Sequence, residues 1–278
     1  MSNLDNLLAS IQSLIAQGDY KPALPICLEA VELGSPEAQR ILGKMFLWGI
    51  VNKKQDSANA FKWWKLAADN DDAEACFLVG QEYSLGKTVE KNSKLAFYYI
   101  SKSVKKYYLT MEEKKTSEKD YENYGSALGY LSWFYYSAIG CTQNYNLAFY
   151  YAEIGANQFN NTMCMLILGF CYFHGDGTLQ NKDISKAFFC KGAALGDETC
   201  KKALIDFFEY KDDYGKDEYI EDDSSEIEED NGDYDYPYEP LIDSVEDEGS
   251  DPYADDIDAM DDGGDPDYGY LDDPDYDE

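Results

Sequence analysis

Four stretches of this chain carry one pattern: an Ala, a Leu-Gly pair four and five residues later, an aromatic, a helix-ending Gly, then Ala-Phe and a small pair. They run from Ala38 to Ala68, Ala75 to Val104, Ala127 to Ala156 and Cys164 to Ala194. Gly43, Gly80, Ser132 and Gly169 hold equivalent positions, 37, 52 and 37 residues apart. A period in the thirties marks a hairpin of two helices that cannot bury its own apolar face and must stack on its neighbours. The expected fold is therefore an all-α solenoid, whose surface binds rather than reacts.

Charge divides the chain more sharply than length. Residues 210–278 hold 31 of the 55 acidic residues and only Lys211 and Lys216 of the 23 basic ones. The tail thus carries −29 of the formal −32, and the first 209 residues only −3. High charge and seven Leu, Ile or Val residues predict disorder for 210–278. Ten tyrosines punctuate the tail, as in Asp233-Tyr234-Asp235-Tyr236. Its expected role is a solubilising bristle, or an arm for basic proteins, or a mask lying on the body's lysines. Asp261-Asp262-Gly263-Gly264-Asp265 lacks the spacing of a calcium loop. A chain at −32 repels phosphate, so nucleic acid is an unfavoured partner.

Within the first repeat, Ser35-Pro36 starts a helix with a capping Ser and a Pro at its first position. Ala38, Ile41, Leu42, Met45 and Phe46 share one helical face, Gly49 ends the helix, and Asp56-Ser57 caps the next. Gly43 costs roughly 1 kcal/mol relative to Ala inside a helix, so its recurrence implies a close approach of the second helix. Adjacent aromatics such as Trp63-Trp64, Tyr98-Tyr99 and Tyr150-Tyr151 predict one ring in the core and one outward. Trp64, Tyr98 and Tyr151 are expected inside, and Trp63 exposed.

These residues resemble the Sel1-like repeats, relatives of tetratricopeptide repeats. The likeness is strongest at Gly169, Tyr172, Gly175 and Gly177 with Lys186-Ala187 and Ala193-Ala194, and weakest in the third unit, with Ser132 for Gly and Ala138 for the helix-ending Gly. The resemblance implies a right-handed α-solenoid of about five antiparallel helix pairs. It also implies a non-catalytic scaffold or adaptor gripping a peptide or helix along the concave face of the first helices. The expected divisions are a tetratricopeptide-like hairpin over 1–34, repeats over 35–70, 71–106, 123–158 and 159–196, a capping helix over 197–209 and the acidic tail over 210–278. A lysine-rich insert fills 107–122. It is expected to protrude, either by lengthening both facing helices or through a small helix started by Thr110-Met111-Glu112-Glu113. Some relatives staple each unit with two cysteines. Here Ala68 and Ala194 stand at the earlier position, so the staple is not expected.

No catalytic, cofactor-binding or metal-binding residue emerges. Gly80 to Thr88 imitates a phosphate loop, but five residues separate its glycines where four are needed. His174 is the sole histidine, and the seven cysteines form no Cys-x-x-Cys pair, which leaves zinc without ligands. Cys164 and Cys171 lie two turns apart and read as core. The unpaired thiols and the lack of a leader or an eighteen-residue apolar run predict an intracellular, cytoplasmic protein away from membranes. The partner itself stays unnamed by the residues. An anionic chaperone acting through its tail is the alternative to the adaptor.

Overall fold

Polar caps and short turns set the helix boundaries. The computed structural model describes residues 2–112 and 117–208, and these form eleven α-helices. They are α1 (Asn3–Ala16), α2 (Tyr20–Glu32), α3 (Pro36–Leu47), α4 (Ser57–Asp69), α5 (Ala73–Leu85), α6 (Ser93–Glu112), α7 (Glu118–Ser137), α8 (Tyr145–Phe159), α9 (Thr162–His174), α10 (Lys182–Ala194) and α11 (Glu198–Phe208). Side chains of Ser35, Asp56, Asp72, Asn144, Asn161 and Asn181 accept amide hydrogen bonds at the starts of α3, α4, α5, α8, α9 and α10. Such caps satisfy amides that the helix itself leaves unpaired.

Each odd-numbered helix packs on the even one after it, and each pair packs on the next, giving five hairpins in series closed by α11. The first helices α5, α7 and α9 also touch in turn, most closely α7 with α9. One core cluster extends from Ile11 in α1 to Cys171 in α9 without interruption. This is the shared burial that stacked hairpins require. The tail, with its expected disorder, lies outside the described residues.

The repeated glycines sit where the two helices of a pair meet. A Cβ on Gly43 would lie 2.6 Å from the Trp64 ring and 3.0 Å from the Ala60 carbonyl, and one on Gly80 would lie 2.8 Å from Ile100. Gly169 faces Phe189 in the same way. In the third unit Ser132 takes this position, wholly buried, and its hydroxyl donates to the Gly129 carbonyl at 2.9 Å.

The third unit also ends α7 on an alanine. Ala138 adopts φ 56°, ψ 39°, the left-handed conformation that Gly86 and Gly175 supply after α5 and α9. An L-residue pays about 1–2 kcal/mol there. Ala138→Gly is therefore expected to stabilise the protein by about 1 kcal/mol, read as a rise in the urea midpoint at unchanged slope.

Several expectations need correction. Trp63 is 2 % exposed, not outward, and Tyr98 is only half-buried while Tyr99 is fully buried. Each second helix packs against its own first helix and the next unit, as α4 does against α3 and α5, so both rings are covered at Trp63-Trp64 and Tyr150-Tyr151. Trp64 and Tyr151 are buried as expected. In the last unit the helix crossing falls on Gly192, which faces Cys200, while Ala194 is exposed. All seven cysteines are free, with Cys164 and Cys171 buried. Burial pushes the thiols of Cys27, Cys76 and Cys200 up to about 12, so they behave as small apolar groups.

Candidate interaction groove

The added residues between the second and third units lengthen α6 and α7 to 20 residues each, against 13 for α4 and α5. Thr110 starts no helix. It lies inside α6, where its hydroxyl donates to the Lys106 carbonyl at 2.9 Å. The capping box falls instead at Ser117 and Asp120, which open α7. Nor does the insert merely protrude. Tyr107 is buried, and Lys119 turns back onto Glu74 of the second unit, beside Lys102 and Lys106 at the end of that unit on Asp71. Lys114 and Lys115 lie outside the described residues.

The end of α6 and the start of α7 make one wall of a groove of about 720 Å³ on the first-helix side of the stack. α1 and α3 form the opposite wall, and the turn into α5 forms the floor. Ile15 and Trp48 line one side and Leu109 the other. Trp48 is 44 % and Leu109 47 % exposed. Tyr20 braces Trp48 edge-on at 5.3 Å between centroids.

The floor is ionic. Arg40 on α3 reaches Asp72 Oδ1 from Nε at 2.9 Å and also binds Glu74 Oε2. Lys44, one turn on, binds Glu74 Oε1, and Lys119 from α7 reaches the same oxygen at 3.3 Å. Asp72 also caps α5 by accepting the Ala75 amide at 2.7 Å. Beside this cluster Asp71 takes Lys102 at 3.1 Å and Lys106 at 2.8 Å. At the rim, Glu37 accepts from Gln12 Nε2 at 2.7 Å.

Charge crowding sets the protonation of this floor. Burial works against ionised Glu74, but the charges of Arg40, Lys44 and Lys119 outweigh it and hold its carboxyl down at about 2. Burial, then Arg40, pushes the Lys44 ammonium down to about 8. Buried ions of this kind are tolerated only when fully paired, and here three cations converge on one glutamate.

No reading of the sequence pointed to Arg40, Lys44, Asp72 or Glu74 as a group. A signal existed: Phe77, Gly129 and Leu166 occupy the repeat position that Arg40 fills in the first unit. A lone cation at an otherwise non-ionic position marks a local change of use. Farther along the stack the first-helix face turns aromatic. Tyr130 stacks edge-on against Phe77 at 5.7 Å, its hydroxyl accepts from Gln81 Nε2 at 3.3 Å, and Trp133 is half-buried beside it.

The residues considered for chemistry stay apart from the groove. Gly80 is packed inside α5 and Gly86 ends that helix, so the segment offers helix carbonyls rather than phosphate-binding amides. His174 is the exposed last residue of α9, edge-on to the Phe173 and Phe207 rings. Among the described residues, no group of three His, Cys, Asp or Glu could hold a metal ion, and no helix is long and apolar enough to cross a membrane.

The chain is similar in part to proteins of known structure. A Sel1 repeat protein from Oxalobacter formigenes is 23% identical over 72% of this chain and 86% of its own, with a TM-score of 0.44. A protective antigen present in uropathogenic Escherichia coli strains, displaying an SLR fold, is 19% identical over 74% of this chain and 52% of its own, at 0.39. The cysteine rich protein B of Helicobacter pylori is 22% identical over 52% of this chain and 92% of its own, at 0.35. A comparison with curated proteins gives no match. The Sel1 repeat pattern matches residues 36–72, 73–107, 125–158 and 162–197. With just over half of its 278 residues in these four phased units, the chain belongs to the Sel1 repeat family.

Proposed function

We propose that this protein is a non-catalytic adaptor that grips a peptide or helix of a protein partner in the groove between α3 and the facing ends of α6 and α7. Sel1 repeat proteins generally mediate protein–protein interactions, and the family is typically one of scaffolds rather than enzymes. The observation that carries the reading is the groove itself: about 720 Å³, with exposed apolar walls at Trp48 and Leu109 over a paired ionic floor. Apolar anchors with a few placed polar groups are what peptide recognition uses. The half-buried Tyr130 and Trp133 farther along offer a continuation for a longer ligand.

The test is capture of a protein partner by the full chain and by Leu109→Asp. Leu109 is half-exposed, so the variant should keep the wild-type far-ultraviolet circular dichroism. Partner capture is expected to fall at least about tenfold, the loss of one buried aliphatic anchor with a charge left in its place. Unchanged capture by a folded variant would remove the groove from consideration. Deleting residues 211–278 separates this reading from the chaperone alternative, because an adaptor keeps its partner and a tail-driven binder loses it.

A further inference from the structure

The cations of the groove floor are not equally committed. Arg40 divides its guanidinium between Asp72 and Glu74. Lys102 bonds to Asp71 and to the Ala68 carbonyl, and Lys106 also serves Asp71. Lys44 and Lys119, by contrast, share a single oxygen, Glu74 Oε1. An ammonium has three N–H donors, so both keep donor capacity at the groove. Beyond Asp72 and Glu74, the carboxylates of the lining are engaged elsewhere: Glu37 lies with Gln12 and Arg40, Asp71 with Lys102 and Lys106, and Asp120 with Ser117. A carboxylate entering between Lys44 and Lys119 therefore meets donors, and an apolar neighbour on the same segment meets Trp48 or Leu109.

The chain carries such a segment outside the described residues. Leu241, Ile242 and Val245 are three of only seven Leu, Ile or Val residues in 210–278, gathered within five positions. Glu239, Asp243 and Glu246 flank them, and Tyr234, Tyr236 and Tyr238 precede them. From Phe208, the last described residue, to Glu239 is 31 residues, a span of up to about 100 Å when extended. α11 and α3 are four first-helix layers apart, roughly 40 Å at ordinary interhelical spacing. A tethered segment meets its site at roughly millimolar effective concentration, ahead of any acidic peptide in solution.

We propose that the chain's own segment 234–246 occupies the groove, with its carboxylates on Lys44 and Lys119 and its aliphatic side chains between Trp48 and Leu109. The proposal rests on the groove being a peptide-binding surface, as argued above, and adds that a partner must displace this internal competitor. It also relocates the masking contact. Lys102 and Lys106 are already paired with Asp71, which leaves Lys119 as the described insert lysine that shares its acceptor with Lys44.

The test uses a fluorescein-labelled peptide of residues 232–247 and three full-length proteins: wild type, L241D/I242D, and L241D/I242D carrying Lys119→Glu. The paired substitutions fall in the tail and should leave the circular dichroism of the helices unchanged. The L241D/I242D protein is expected to bind the peptide about tenfold or more tightly than wild type, whose groove is already filled. Adding Lys119→Glu, or raising the salt to about 0.5 M, should remove that binding. Equal affinity for wild type and L241D/I242D, or binding that survives Lys119→Glu, overturns the proposal. Carbodiimide coupling of an equal mixture of ¹⁴N- and ¹⁵N-labelled wild type adds a second readout. Links from Lys119 to Glu239, Asp243 or Glu246 should be within one isotope. Mixed-isotope links would assign the contact to a second copy, and links only from Lys182, Lys201 or Lys202 would place the segment at the far end of the stack; either result sinks it. If these arms fail while Leu109→Asp still abolishes partner capture, the internal competitor is wrong and the adaptor reading stands.

Discussion

Arg40→Met is expected to destabilise the protein by about 3–5 kcal/mol, the cost of leaving buried carboxylates without their cation. The Arg40 side chain is 14 % exposed, and Asp72 and Glu74 are 11 % exposed, so solvent screens the pairs little. Urea unfolding of wild type, Arg40→Met, Glu74→Gln and the double variant gives the coupling directly. The double variant should be clearly less destabilised than the two single losses added together. Strict additivity would mean that the short Arg40–Glu74 contact contributes nothing.

The same cluster gives stability an acid limb. Glu74 titrates near 2 in the folded protein against an ordinary 4.5. A carboxylate whose folded value is depressed stabilises above its unfolded value and loses that contribution as pH falls through the folded one. Glu74 therefore contributes on the order of 3 kcal/mol above about pH 5, fading between about pH 4.5 and 2. The gap between wild type and Glu74→Gln should shrink over that window, and a gap independent of pH would contradict the assignment.

Trp63→Ala is expected to cost about 3–5 kcal/mol, as for other large aromatics removed from a core. The rule that one residue of each aromatic pair faces outward predicts instead a change within about 0.5 kcal/mol, typical of a surface site. Thermal or urea unfolding separates the two at once. The structure favours the large effect because Trp63, 2 % exposed, is among the largest fully buried side chains.

What the residues announced and what they hid follow one physical division. The hairpins were legible because capping residues, glycines and small pairs recur in phase, and such signals are local. Asp56 and Asn161 each cap the helix that follows them, as short polar side chains at helix starts do. Trp63 was misjudged because a helical wheel assumes one buried face, whereas α4 packs against both α3 and α5. At the last crossing Gly192 meets Cys200 of α11 just as Gly155 meets Cys164 of α9, so the small residue that counts is the one facing the next helix, which the Ala193-Ala194 pair beside it conceals. The ionic floor was the least visible part. Arg40 and Glu74 are 34 residues apart, and each alone reads as an ordinary solvated charge. They become buried partners through stacking, and α7 brings Lys119 onto the same oxygen. Neither event leaves a mark within a short window.

The lengthened α6 and α7 carry one more consequence. An array of equal units offers a ligand several equivalent berths, one per period, and cannot tell it where to stop. Two facing helices from adjacent pairs, both longer than their neighbours, remove that translational degeneracy. A bound strand or helix then has a single frame against the ends of α6 and α7, and polarity along the solenoid follows from an insertion rather than from the repeats themselves.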